Sequence, residues 1–137
     1  MSALVLDASI ILAWMFEDER TSEIDAIAAD LPTAEACAPG LLRVEVANVL
    51  AMSKRRGRIS AALLERFLVR LEALPIVHEP GPEPRVLRDI VRLARTEGLT
   101  VYDATYLELA LRCQASLASR DNTLRAAAQR LGVPIRP

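Results

Sequence analysis

Leu4-Val5-Leu6-Asp7-Ala8-Ser9-Ile10-Ile11-Leu12-Ala13-Trp14-Met15-Phe16 opens the chain with a short apolar run, one acid and a second, longer apolar stretch. Leu4 to Leu6 suits a buried strand and Ala8 to Phe16 a helix, so the chain is expected to turn from strand to helix at Asp7. The alternation then repeats. Helices are predicted over 22–30 and, closed by Gly57, over 40–56, with a short strand at 36–38 between them. Ser60 caps a helix that carries Leu63, Leu64, Phe67, Leu68 and Leu71 on one side and ends before Pro75. Ile76-Val77 reads as a third strand. Pro80, Gly81, Pro82 and Pro84 break the chain before a helix over 85–97 that Gly98 stops. A helix from about Thr100 to Cys113, a strand at 116–118, a helix over 122–131 and an edge strand at 133–135 complete the chain.

Five short strands and about seven helices predict an α/β fold, a three-layer α/β/α sandwich around a mainly parallel five-stranded sheet. Without repeat, linker or low-complexity tract, the 137 residues with 52% apolar composition are expected to form one domain over 1–137. Such a chain buries roughly 65–70% of its unfolded surface, so it needs neither disulfides nor a structural metal to fold. A bound metal would therefore serve chemistry. Cys37 and Cys113 lack the close spacing of a zinc or redox motif and read as buried small apolar residues in a reducing cytoplasm. No apolar run is long enough for a bilayer span or signal core.

The net charge is −1, yet the basic residues cluster. Lys54-Arg55-Arg56-Gly57-Arg58 forms one patch. Arg85, Arg88, Arg92 and Arg95 recur at helical spacing as a stripe that suits phosphates or simply faces water.

Four acids break the apolar pattern. Asp7 and Asp121 each follow a strand and precede a helix; either could be only a helix N-cap, but both fall where open parallel sheets bind ligands. Glu45 shares a helical stripe with Leu42, Val49 and Met52, which directs it inward, with Asn48 one turn on; a buried ion pair with Arg43 or a distant arginine is the alternative. Asp103 sits in the first turn of its helix, on a face with Leu107, Ala110 and Leu111; the helix dipole alone would favour an acid there. Together the four would converge on one end of the sheet. Carboxylates so crowded must take up protons or bind cations, and oxygen-only ligands select Mg²⁺ or Mn²⁺. The single histidine, His78, excludes a multi-histidine zinc site and reads as a loop or strand-end residue. Several carboxylates holding a hard divalent ion suit phosphodiester hydrolysis.

LVLDASIILAWMFEDE (4–19), PGLLRVEVANVL (39–50), GLTVYDATYLELA (98–110) and LASRDNTLRAA (117–127) resemble the blocks of bacterial PIN-domain ribonucleases of the VapC toxin type. The resemblance spans nearly the whole chain, with four acidic blocks in order. It implies an endoribonuclease that uses Mg²⁺ or Mn²⁺ to cut structured RNA, usually transfer or ribosomal RNA, and so inhibits translation and growth. Asp7 and Asp103 match the surest metal ligands, and Glu45 and Asp121 match acids that complete the site. Ser9, Asn48 and Ser119 match the polar residues around them; Ser119 stands where threonine is commoner, and keeps the hydroxyl. The resemblance also implies a homodimer and a VapB-type antitoxin. Leu12, Trp14, Met15 and Phe16 offer such a partner an apolar run, although large aromatics more often fill core.

Two other functions fit some of these residues. A phosphatase could use Asp7 as nucleophile, but Ser9 stands where the paired-aspartate motif needs a second acid. A non-catalytic module could hold a structural ion in the acid cluster and bind RNA or a partner through its arginines.

Overall fold

The computed structural model describes residues 3–137. β1 (Ala3–Leu6) leads into α1 (Ala8–Met15), a 3-10 turn (Glu17–Glu19) and α2 (Ser22–Asp30). β2 (Glu35–Pro39), α3 (Leu41–Arg55), α4 (Ala61–Ala73) and β3 (Val77–Glu79) follow. The chain continues through α5 (Pro84–Glu97), α6 (Val101–Arg112), β4 (Ser116–Ala118), α7 (Asn122–Arg130) and β5 (Ile135–Arg136).

The sheet order is β3-β2-β1-β4-β5, and every pairing is parallel. β1 is central because it is apolar on both faces: Leu4, Val5 and Leu6 are all buried, as a strand covered by helices on each side requires. From β1 the chain moves outward to β2 and β3, then crosses back to β4 and outward to β5. Right-handed crossovers therefore put α1–α4 on one face and α5–α7 on the other. The packing agrees: α1 touches α2 and α3, α3 touches α4, and α6 lies between α5 and α7 against β1, β2 and β4. The reversal of direction opens a crevice between the C-terminal ends of β1 and β4, where Asp7 and Asp121 emerge.

Several sequence expectations shift. β3 and β5 each begin later than their apolar residues suggest, at Val77 and Ile135, because pairing with β2 and β4 sets their register (Cys37 with Val77, Leu117 with Ile135). His78 is thus the middle residue of β3. On α3 the buried residues are Leu42, Val46, Leu50 and Ser53, while Val49 is exposed. The inward stripe is rotated one residue from that expected, so Glu45 sits at its border. On α6, Leu111 is likewise exposed.

Cys37 is half-buried and Cys113 exposed, which corrects the view of both as core residues. Cys113 ends α6 beside Arg112, whose guanidinium clasps the Glu79 carboxylate with two bonds of 2.9 Å. That clasp brings the α6 end to β3 and β2, and the Cys37 thiol is raised to about 11 by burial and then by neighbouring Cys113. Trp14 and Phe16 are buried, the indole donating to the Ile24 carbonyl at 2.8 Å. The apolar run past Asp7 is therefore core, with only Ala8, Ser9 and Leu12 partly open.

Two glycines are required by geometry. Gly98 takes φ +68 to end α5, a left-handed conformation that suits a residue without Cβ. Gly40, between β2 and α3, lies so close to β3 that an added Cβ would stand 2.8 Å from the Glu79 carbonyl oxygen. Gly40→Ala must push β3 away from the start of α3 and is expected to cost about 1–3 kcal/mol. Urea unfolding measures it; an unchanged midpoint would mean that the Glu79 backbone yields freely.

Candidate active site

Asp7 is the first residue past β1, and its backbone N–H donates to the Ala118 carbonyl at 3.1 Å, extending the β1–β4 pairing. Its side chain caps α1 by accepting from the Ser9 N–H at 3.0 Å. Two hydroxyls complete its surroundings, Ser9 donating to Oδ1 and Ser119 to Oδ2. Each hydroxyl is itself an acceptor: Arg120 N–H donates to Ser9 Oγ at 2.9 Å and Asp121 N–H to Ser119 Oγ at 3.0 Å. With one backbone N–H accepted by each oxygen, both serines aim their protons at Asp7. One carboxylate thereby locks the β4–α7 turn onto the end of β1. Asp7 is only 5% exposed and Ser119 fully buried. Burial pushes the Asp7 carboxyl up, against the opposing pull of its hydrogen bonds.

The other acids come from three elements. Asp121 caps α7 by accepting from the Leu124 N–H at 2.9 Å, with its residue otherwise exposed. Capping is therefore real at both Asp7 and Asp121, and it leaves carboxylate lone pairs unused at each. Asp103 is not the cap of α6: Thr100 is, accepting from the Asp103 N–H at 3.1 Å. The half-buried Asp103 carboxyl is pushed up to about 6 by burial, then by the negative charges of Asp121, Asp7 and Glu45. That repulsion places the four acids in one electrostatic neighbourhood.

Glu45 finds its partner in Tyr106, whose hydroxyl donates to Oε1 across from α6 to α3. No ion pair with Arg43 forms. Burial raises the Glu45 carboxyl, the Tyr106 bond lowers it and the charge on Asp7 raises it again. Tyr106 is 1% exposed, and sequence reasoning passed over it. The available signal was its position three residues after Asp103, which shares that helix face, and the need of a buried phenol for a partner. Asn48 is exposed and makes no hydrogen bond to the cluster.

None of the four acids is ion-paired among the described residues. The two arginines around Asp121 in sequence are engaged elsewhere, Arg120 with Glu19 at 3.5 Å and Arg125 with the Ser119 carbonyl at 3.0 Å. Among the described residues no three acids are closed on one point as a finished cation cage. The donor set still fits one chemistry, because oxygen donors of a single sign without a counter-charge suit a hard divalent cation. A neighbouring cavity of about 290 Å³, lined by Pro39, Pro82, Ile90, Thr105 and Leu109, holds none of the four acids.

Residues 4–129 match the family model described as PIN domain. The chain belongs to the PIN-domain family. It is 34% identical over 128 residues to Ribonuclease VapC3 of Pyrobaculum aerophilum, covering 88% of this chain and 91% of that protein. The chain is thus a PIN-domain homologue of a VapC ribonuclease. Among solved structures, PAE2754 from Pyrobaculum aerophilum shares the PIN fold with a TM-score of 0.75 at 23% identity, over 98% of this chain and 89% of its own. FitAcB from Neisseria gonorrhoeae shares it with a TM-score of 0.70 at 18% identity, over 98% and 96%.

The raised Asp103 carboxyl makes the metal-free PIN domain pH-sensitive. The folded chain holds this proton up to about pH 6, while the unfolded chain releases it near 3.8. Its effect is therefore a loss of stability as pH climbs through that window, complete above the folded value. Asp103→Asn should melt above the unmodified protein at pH 7.5 without divalent ions, by a few degrees, with the gap closing below about pH 4. A variant no more stable at neutral pH would show that neither burial nor the neighbouring charges disfavour the Asp103 carboxylate.

Proposed function

We propose that this PIN-domain chain is a Mg²⁺- or Mn²⁺-dependent endoribonuclease that hydrolyses RNA phosphodiester bonds, the toxin of a VapBC-type toxin–antitoxin pair. The observation that carries this reading is the buried, doubly hydroxyl-bonded Asp7 among three further acids, none of them paired with a basic side chain among the described residues. Asp7 and Asp103 would hold the metal, with Glu45 and Asp121 completing its surroundings directly or through water. The bound metal would activate water and shield the charge of the phosphate.

The chain's own contribution is arrangement. Ser9 and Ser119 fix the Asp7 carboxylate in one orientation, and the same hydroxyls hold the turn that carries Asp121. Tyr106 orients Glu45 and, buried beside it, keeps its own proton, its ionisation pushed far up. Such outer partners fix the geometry of a metal site. With a hydroxyl on each oxygen, Asp7 is poorly placed for nucleophilic attack, which disfavours the phosphatase.

The substrate is structured RNA, transfer or ribosomal, whose cleavage stops translation. The partners are a VapB-type antitoxin and a second copy of the chain, acting in the cytoplasm. The name of the 34%-identical relative, Ribonuclease VapC3, supports the chemistry. No helix among the described residues is long and apolar enough to cross a membrane.

Incubation of purified, antitoxin-free protein with labelled total RNA tests the reading. Discrete fragments should form with Mg²⁺ or Mn²⁺, vanish with EDTA, and fall at least about 100-fold in Asp7→Asn. Intact RNA from folded protein under every condition would overturn it. Tyr106→Phe removes only the hydroxyl that orients Glu45 and should slow cleavage about tenfold while the protein stays folded. An unaltered rate would take Tyr106 out of the site.

A further inference from the structure

Helix α5 buries Ile90 and Ala94, and at 100° per residue Arg85, Arg88, Arg92 and Arg95 fall on the opposite side. All four are exposed. Of the four only Arg92 is ion-paired among the described residues, at 3.5 Å to Asp89, and both partners are largely in water. By contrast Arg20, Arg58, Arg112, Arg120, Arg130 and Arg136 all hold a carboxylate. Arg88, Arg92 and Arg95, with Val91 and Thr96, line a surface depression of about 560 Å³. The stripe is a continuous, mostly uncompensated cationic track.

Its direction ties it to the acid cluster. α5 packs along α6 and ends at Gly98; Thr100 then caps α6, and Asp103 stands in its first turn. Arg95 is therefore the end of the track nearest Asp103 along the chain, and Arg85 lies roughly 15 Å further out at 1.5 Å per residue. The arginines follow one another at about 5 Å along the axis, a step that lets neighbouring guanidiniums meet successive phosphates of one strand. Guanidinium forks suit phosphate oxygens, and exposed ones are gripped without a large desolvation cost.

We infer that the arginine face of α5 is a phosphate-gripping exit track that holds the RNA strand flanking the scissile bond. This rests on the ribonuclease reading of the acid cluster and adds to it a path for the substrate. The track reads backbone charge, not base sequence, so it raises affinity for any strand long enough to reach it.

Fluorescence anisotropy of a labelled 20-nucleotide single-stranded RNA of mixed sequence tests the track, with Asp7→Asn protein in EDTA so that nothing is cut. Adding Arg88→Gln, Arg92→Gln and Arg95→Gln should weaken binding at least about tenfold and flatten the log–log salt slope by about 2. Lysine at the same three positions should restore much of both, and Arg66→Gln on α4 should change neither. Equal affinity and slope in the triple variant overturn the track and leave the nuclease reading intact. No RNA binding by either protein also overturns the track; the nuclease reading falls only if total RNA stays intact with Mg²⁺ or Mn²⁺ as well.

Discussion

The Asp7 carboxylate, gripped on its two oxygens by Ser9 and Ser119, is the interaction on which the rest of the site depends. An acid at this point would be a liability in an ordinary core, because burial raises the free energy of its charged form. The fold sustains it by position and by partners. Position comes from β1, whose buried residues make it the central strand and put its end at the reversal of sheet order. The partners come from the α1 end and the β4–α7 turn, two segments far apart in sequence that this one side chain joins.

From that point the acid cluster follows. The turn held by Ser119 carries Asp121, α6 packs across β1 and β2 with Asp103 in its first turn, and α3 starts at Gly40 with Glu45 one turn on. The segments come from both helical layers, so the acids meet only in the folded chain. Among the described residues no basic side chain pairs with any of the four acids. The arginines around Asp121 are tied to Glu19 and to a backbone carbonyl, so burial and the neighbouring negative charges hold the Asp103 carboxyl up.

Much of this was legible in the sequence because the signals were local. The strand at 116–118 and the helix at 22–30 were expected where they occur, and Leu4–Leu6 marks β1 by composition. The edge strands were harder: Val77 is apolar yet 70% exposed, and two or three residues carry no periodicity to set a boundary. On α3 the exposed Val49 and the buried Ser53 both contradict simple hydrophobic patterning. The four acids stood out because each interrupts an apolar frame. Tyr106 did not, since a phenol in an apolar helix looks like core until the acid across from it is known. Cys37 and Cys113 likewise become neighbours only through the packing of α6 on β2, which leaves no local trace in the sequence.

If the four carboxylates form a cation site, their charge stays unbalanced until an ion binds. Calorimetric titration of Mg²⁺ or Mn²⁺ into metal-free protein, repeated from pH 5 to 8 in buffers of different ionisation heat, tests it most directly. Binding should strengthen as pH rises through about 6 with release of protons, and be lost in Asp7→Asn and Asp103→Asn. Saturable binding that both variants retain, or none at any pH, would contradict it.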